Sequence, residues 1–163
     1  MLLPVIQQPD PRLREISAPV EKITPELKKL AADMLETMYA LGNGIGLAAP
    51  QVGRLCRMFV CDVSESRDQP RILINPVLAS HNQEKTKRAE GCLSCRGFEG
   101  LVERYAKVTV RALALDGKKM TVKADGLLAR CLQHELDHLD GIIIMDKAEP
   151  APPDRQDDAK KII

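Results

Sequence analysis

The segment Gln133-His134-Glu135-Leu136-Asp137-His138 constrains this chain more than any other stretch. A helix turns once in about 3.6 residues, so positions four apart share a face and both imidazoles can grip one metal ion. Glu135 projects roughly a quarter turn away, off the ligand direction but within reach of a water bound to that ion. Two ligands, one base and one activated water describe a hydrolase. A His-x-x-x-His pair also arises by chance on amphipathic helices. The intervening glutamate argues against chance and against a structural zinc, which needs no base. Two histidines still leave a metal under-coordinated, so the remainder must come from elsewhere in the chain.

Composition narrows the classes. The 163 residues are 44% apolar and 29% charged, ordinary for a globular chain expected to bury a substantial core. Lys+Arg 24 against Asp+Glu 23 leaves no basic excess for phosphate binding, and with Trp 0, Tyr 2 and Phe 2 there is no base-stacking platform. Direct nucleic-acid recognition is therefore disfavoured. The N-terminus lacks the basic and apolar regions of a signal peptide, and no apolar run reaches the ~20 residues of a membrane span. A cytoplasmic location without a membrane partner is expected, with Cys56, Cys61, Cys92, Cys95 and Cys131 reduced.

Taken in order, the opening through Ile23 carries Pro4, Pro9, Pro11 and Pro19 and reads as extended segments and turns. Thr24 as cap, Pro25 and Glu26 begin a helix whose apolar face is Leu27, Leu30, Met34, Met38 and Leu41, with Gly42 as its stop. Gly44-Ile45-Gly46-Leu47-Ala48-Ala49-Pro50-Gln51 reads as a tight loop that lets backbone approach something closely, and it lacks the Gly-Lys-Ser/Thr of a phosphate loop. Residues 58–63 and 72–74 read as buried strands, the second ended by Pro76, and residues 81–88 as a polar loop with a solvated His81. Residues 106–115 and 120–124 form a hairpin about Asp116-Gly117, and Asp125 caps the helix carrying the histidines. Ile142 to Ile144 reads as a short buried strand. The fold class is α+β, mostly antiparallel strands around a central metal-binding helix, with a second scaffold helix near the N-terminus. Residues 1–148 read as one catalytic domain and 149–163, rich in proline and charge, as a loosely ordered tail.

The third ligand is the open question. In HExxHxxGxxH the last position would be residue 144, here Ile144, and the sole downstream glutamate, Glu149, lies beside the tail. The soft candidates are upstream, Cys92 and Cys95 in Glu90-Gly91-Cys92-Leu93-Ser94-Cys95. Binding by both would close a structural Cys2His2 site, a module without activity; binding by Cys92 alone would leave the open position a catalytic site needs. The spacer, roughly forty residues, is far longer than a zinc finger's, and a core of this size needs no metal staple; both points favour the open site. A zincin-type metallopeptidase remains a further alternative.

Three separated blocks, GIGLAAPQ at 44–51, EGCLS at 90–94 and QHELDH at 133–138, resemble the signature motifs of bacterial peptide deformylases in order and spacing. The resemblance implies Cys92, His134 and His138 as metal ligands with water as the fourth. The ion would be Fe2+ in the cell, replaceable by Zn2+, Ni2+ or Co2+. It implies Glu135 as proton carrier, and Gln51 with the Leu93 N–H as donors to the oxyanion. Gly46 would let the main chain approach the substrate, with Gly44, Ile45, Leu127 and Cys131 around the methionine side chain. The substrates would be N-formylmethionyl nascent peptides, met near the ribosomal exit tunnel, and the product formate. The chain departs from that family's usual pattern at Cys95-Arg96 and in its acidic tail, while Arg88 and Arg130 fall near the expected side-chain pocket. An extended backbone would point Cys95 away from Cys92. Arg104 is placed to pair with Glu90 or Asp137 and fix the ligand strand against the helix.

Overall fold

The computed structural model describes residues 1–150 and 162–163. Helix α1 spans Pro25–Ala40. Thr24 Oγ1 accepts the Leu27 N–H at 3.2 Å, which satisfies one of the donors a helix start leaves free, and Pro25 sits where no donor is needed. Leu30, Met34 and Met38 form its buried stripe, and Gly42 beyond its end takes φ +75°.

Eight strands follow among the described residues: β1 Gly46–Ala48, β2 Met58–Cys61, β3 Arg71–His81, β4 Lys85–Gly91, β5 Glu99–Tyr105, β6 Lys107–Leu113, β7 Lys119–Asp125 and β8 Glu149–Pro150. Helix α2 covers Gly126–Leu139 and carries the histidines. The strands form an antiparallel sheet in the order β1-β2-β3-β6-β7 and a smaller one in the order β4-β5-β8.

Why β2 reads as an unbroken apolar run is explained by what covers it. Side chains alternate faces along a strand. Met58 and Val60 pack with Leu30, Met34 and Met38 of α1, whereas Phe59 and Cys61 pack with Ala129, Cys131 and Leu132 of α2. The large sheet is thus held between the two helices at β2, and both faces of β2 are dry. The smaller sheet brings a third apolar cluster, in which Cys92 and Cys95 sit with Leu13, Val102, Ile143 and Ile144.

Three expectations on element boundaries fail for identifiable reasons. Pro76 does not end a strand: β3 continues to His81, pairing Ile74 with Leu113 and then Val77 with Arg111 across a register shift. Asn75 at φ 50° absorbs the extra residue, and β2 pairing stops at Ile74, so the missing proline N–H breaks no ladder on that side. Residues 81–88 are not a polar loop, because β4 begins at Lys85 and pairs with β5 from Lys85↔Tyr105 onward. His81 is exposed, as expected, and its ring stacks on Tyr105 with centroids 3.6 Å apart. Residues 142–144 make no strand, since Ile144–Asp146 is a 3-10 turn, although Ile143 and Ile144 are buried as expected. Of the tail, Glu149–Pro150 pairs with β5 and Ile162–Ile163 is tied down elsewhere; residues 151–161 lie outside the described residues. No helix among the described residues is long and apolar enough to cross a membrane.

Candidate metal centre

The i, i+4 spacing on α2 does what helix geometry requires. His134 Nε2 and His138 Nε2 stand 3.2 Å apart on one face, and Cys92 Sγ, arriving from the end of β4, is 3.4 Å from His138 Nε2. The three ligand atoms lie within 4.8 Å of one another, and all three residues are buried. Burial holds His134 below the ordinary imidazole range, and His138 well below it, so both rings are neutral and able to donate lone pairs. The hydrogen bond with Cys95, then burial, push the Cys92 thiol far above its ordinary range.

Cys95 is not where an extended backbone would send it. The chain turns after Cys92, with the Cys95 N–H donating to Cys92 O at 3.0 Å, and the turn brings the two thiols into hydrogen-bond contact. Cys95 nonetheless stays outside the group of three converging ligand atoms. All five cysteines are free.

Around this centre is a layer that orients it. Glu90, 2% exposed, takes His134 Nδ1 at 3.0 Å, Arg104 through Nε at 2.7 Å and Nη2 at 2.9 Å, and Arg130 Nη2 at 2.9 Å. Arg104 Nη1 reaches on to Asp137 at 3.0 Å, so one guanidinium bridges the ligand strand and the ligand helix. Burial would raise the Glu90 carboxyl, but the bonds from His134 and Arg104 outweigh it and hold the group well below the ordinary carboxylate range. Glu90 therefore stays ionised, fixes the His134 tautomer with its proton on Nδ1 and turns Nε2 toward the cluster. Arg104 pairs with Glu90 and Asp137 as its position in the sequence suggested.

Glu135 is fully buried, yet among the described residues neither of its carboxyl oxygens has a hydrogen-bond partner, and His138 Nδ1 is equally alone. Burial, then the nearby Cys61, push the Glu135 carboxyl well above its ordinary range. A buried carboxyl without a partner is expensive. One that follows a ligand histidine on α2 and whose charge reaches the Cys92 thiol is accounted for by a cation and its water at the centre, since positive charge there returns Glu135 to its ionised form. Two imidazoles and a thiolate also suit first-row divalent ions. The donor set fits a metal ion.

The remaining expected residues divide into those brought to the centre and those held apart. Gln51 is buried, accepting the Ala48 N–H at 2.8 Å and donating from Nε2 to Ser94 Oγ at 3.0 Å and to Cys92 Sγ at 3.7 Å. The Leu93 N–H donates to Ile163 O at 3.3 Å. Gly44 packs under Leu93, where an added Cβ would stand 3.2 Å from Leu93 Cδ1. A cavity of about 440 Å³ opens beside the site, lined by Leu127 together with Ala89, Ala106, Arg88, Arg130 and Ile163. Ile45 and Cys131 are not on its wall; they are buried in the apolar cluster that includes Ile163, and Cys131 Sγ meets Ile45 O at 3.7 Å. Sharing the His134 face of α2 is thus not enough to line the cavity, because that face also packs on the large sheet.

Gly46 has a reason for lacking a side chain within the protein itself. A Cβ there would lie 2.5 Å from Glu135 Oε1 and 3.0 Å from Cys131 Sγ, so the bare Cα makes room for the carboxylate. Gly46→Ala should push that carboxylate aside. Misplacement on the ångström scale costs about 10²-fold in rate, so kcat should fall by that order while the melting temperature changes little. An unchanged kcat would show that Glu135 has room to spare.

The polypeptide deformylase family model matches residues 2–153. The chain belongs to the peptide deformylase family. A peptide deformylase of Acinetobacter baumannii (strain SDF) is 48% identical over 149 residues, 91% of this chain and 84% of the relative. Among solved structures, the deformylase of Thermotoga maritima superposes with a TM-score of 0.87 at 37% identity, covering 92% of this chain and 99% of that one. The deformylase of Ehrlichia chaffeensis in complex with actinonin gives a TM-score of 0.87 at 40% identity over 91% of this chain and 89% of its own. The mixed α/β fold with mostly antiparallel strands is that of the deformylases, and the chain is an enzyme of this class, which removes the N-formyl group from nascent polypeptides.

Proposed function

We propose that Cys92, His134 and His138 hold one divalent ion, Fe2+ in the cell with Zn2+, Ni2+ or Co2+ as substitutes, and that Glu135 is the proton carrier of formyl-peptide hydrolysis. The observation that carries this reading is the pairing of three buried, converging ligand atoms with a buried carboxyl that has no hydrogen-bond partner among the described residues. When bound, the ion supplies a Lewis acid that polarises the formyl carbonyl and acidifies water. Glu135 takes the proton from the attacking water and delivers it to the departing amine nitrogen, so that formate and a free amino terminus leave together. Gln51 Nε2 turns its weak contact with Cys92 over to the developing oxyanion, and the Leu93 N–H donates to the same oxygen. Glu90 and Arg104 keep His134 aimed throughout.

The side chain of the formylated methionine enters the cavity beside Leu127 and Arg130, and Gly44 and Ile45 offer main-chain groups to the peptide. A substrate that exists only on newly made chains places the enzyme in the cytoplasm near the ribosomal exit tunnel. The Ehrlichia relative binds actinonin, and the same compound should compete here.

Formate released from formyl-Met-Ala-Ser under anaerobic conditions, with metal content determined on the same sample and turnover blocked by actinonin, tests the assignment. One ion per chain with turnover is the expected result. Cleavage of an internal peptide bond would make the chain a zincin-type peptidase instead, and tightly held zinc without turnover would make the centre structural.

A further inference from the structure

Ile162 and Ile163 lie across the groove between the 43–45 loop and the 91–93 segment. The Ile162 N–H donates to Asn43 O and the Ile45 N–H donates to Ile162 O, each at 2.9 Å. On the other wall the Ile163 N–H donates to Gly91 O and the Leu93 N–H donates to Ile163 O, each at 3.3 Å. Two residues thus spend all four of their main-chain polar groups as a strand added between two edges. Residue 162 pairs in parallel with Gly44, and its side chain lies over Gly91, where an added Cβ would stand 3.7 Å from Ile162 Cγ1. Ile163 is 2% exposed and stands at the cavity that Leu127 lines.

These are the groups a formyl peptide would need. We propose that residues 162–163 are an intramolecular competitor that docks in the substrate groove and must leave before a peptide can bind, an inference that rests on the proposed function of that groove. The Ile45 and Leu93 amides each have one proton to give. A peptide cannot take them while the tail does, so docking and substrate binding are mutually exclusive. Only residues 151–161 separate Pro150, fixed on β5, from Ile162, and a tether of that length keeps the competitor at high effective concentration. The two long bonds on the 91–93 side make the tail displaceable.

An apparent affinity is reduced by the fraction of molecules in the competent state, so a tail docked nine times in ten raises KM about tenfold. The full chain, a chain ending at Pro150 and the variant Ile163→Gly are compared for kcat and KM on formyl-Met-Ala-Ser, and for amide hydrogen exchange at Ile45 and Leu93. The expected result is a KM lowered by about that factor in the shortened chain and by less in Ile163→Gly, an unchanged kcat, and faster exchange at both amides. Equal KM and equal exchange in all three chains would overturn the proposal. If none of them released formate, the deformylase reading of the groove would fall, and with it the competitor role, whereas exchange would still report the docking itself.

Discussion

Glu135→Gln should bind its metal and fail to turn over. The amide matches the carboxyl in shape, so the fully buried site keeps its packing, and the three ligand atoms on Cys92, His134 and His138 are untouched. What is lost is a group that can carry a proton from water to the departing amine. General acid–base catalysis is worth about 10² to 10⁴ in rate, and kcat should fall within that range while KM and metal content stay near those of the parent. Steady-state kinetics with metal analysis on the same preparation decides it. A variant as active as the parent would remove Glu135 from the proton path, and a variant that had lost its metal would mean the carboxylate serves the centre as a ligand or anchor.

The centre was largely legible in the sequence and its surroundings much less so. His134 and His138 follow from helix periodicity alone, and α2 is where that periodicity put them. Cys92 could be favoured over Cys95 by the length of the spacer and by resemblance, but the tight turn at residues 93–94 that sets where Cys95 lies is not something spacing reveals. Gly46 could be read as a place of close approach, but what approaches is Glu135, nearly ninety residues later in the chain. The β4–β5 hairpin was missed. Its strands are charged and half exposed, with Lys85, Lys87, Arg88, Glu99 and Glu103 outside, so no apolar alternation announces it, and yet it carries Glu90 and Arg104. Arg130 was placed near the side-chain pocket by resemblance, and it does line the cavity, but its burial and its partners had no sequence signal. It sits where a buried arginine is unexpected, donating to Thr86 Oγ1 and Val102 O and pairing with Glu90, and only the register of β4 on β5 makes those partners available. Of the tail, only its two ends are among the described residues. Proline and charge in 149–158 describe the composition of a loose segment, whereas the two isoleucines at the end find a groove whose edges come from parts of the chain more than a hundred residues and about seventy residues earlier.

Arg104→Leu should loosen the metal and lower the melting temperature together. Arg104 holds Glu90 through two nitrogens and Asp137 through a third, and its side chain is 2% exposed. Removing one partner from a buried ion pair leaves a charge with nowhere to go and costs about 3–5 kcal/mol. The lower end applies here, because Arg130 Nη2 at 2.9 Å and His134 Nδ1 at 3.0 Å stay on Glu90 after the substitution. For a chain of this length about 3 kcal/mol is a fall of roughly 6–12 °C in melting temperature. The metal effect has a separate route. With Arg104 gone, the His134 proton offers the cheapest remaining compensation for Glu90, so the carboxylate shifts toward Arg130 or draws more of that proton. Either movement turns His134 Nε2 off the axis it shares with His138 Nε2 and Cys92 Sγ. Loss of such an orienting bond weakens metal binding about 10- to 100-fold. Arg104→Lys restores the charge without the fork, and it should recover part of the melting temperature but little of the metal affinity, since a single ammonium cannot hold Glu90 by two bonds and reach Asp137 as well. Competition with a chelator, read beside calorimetry, separates the two effects. If Arg104→Leu held metal as tightly as the parent and lost only stability, the guanidinium would be a clamp between β5 and α2 with no part in aiming the ligand.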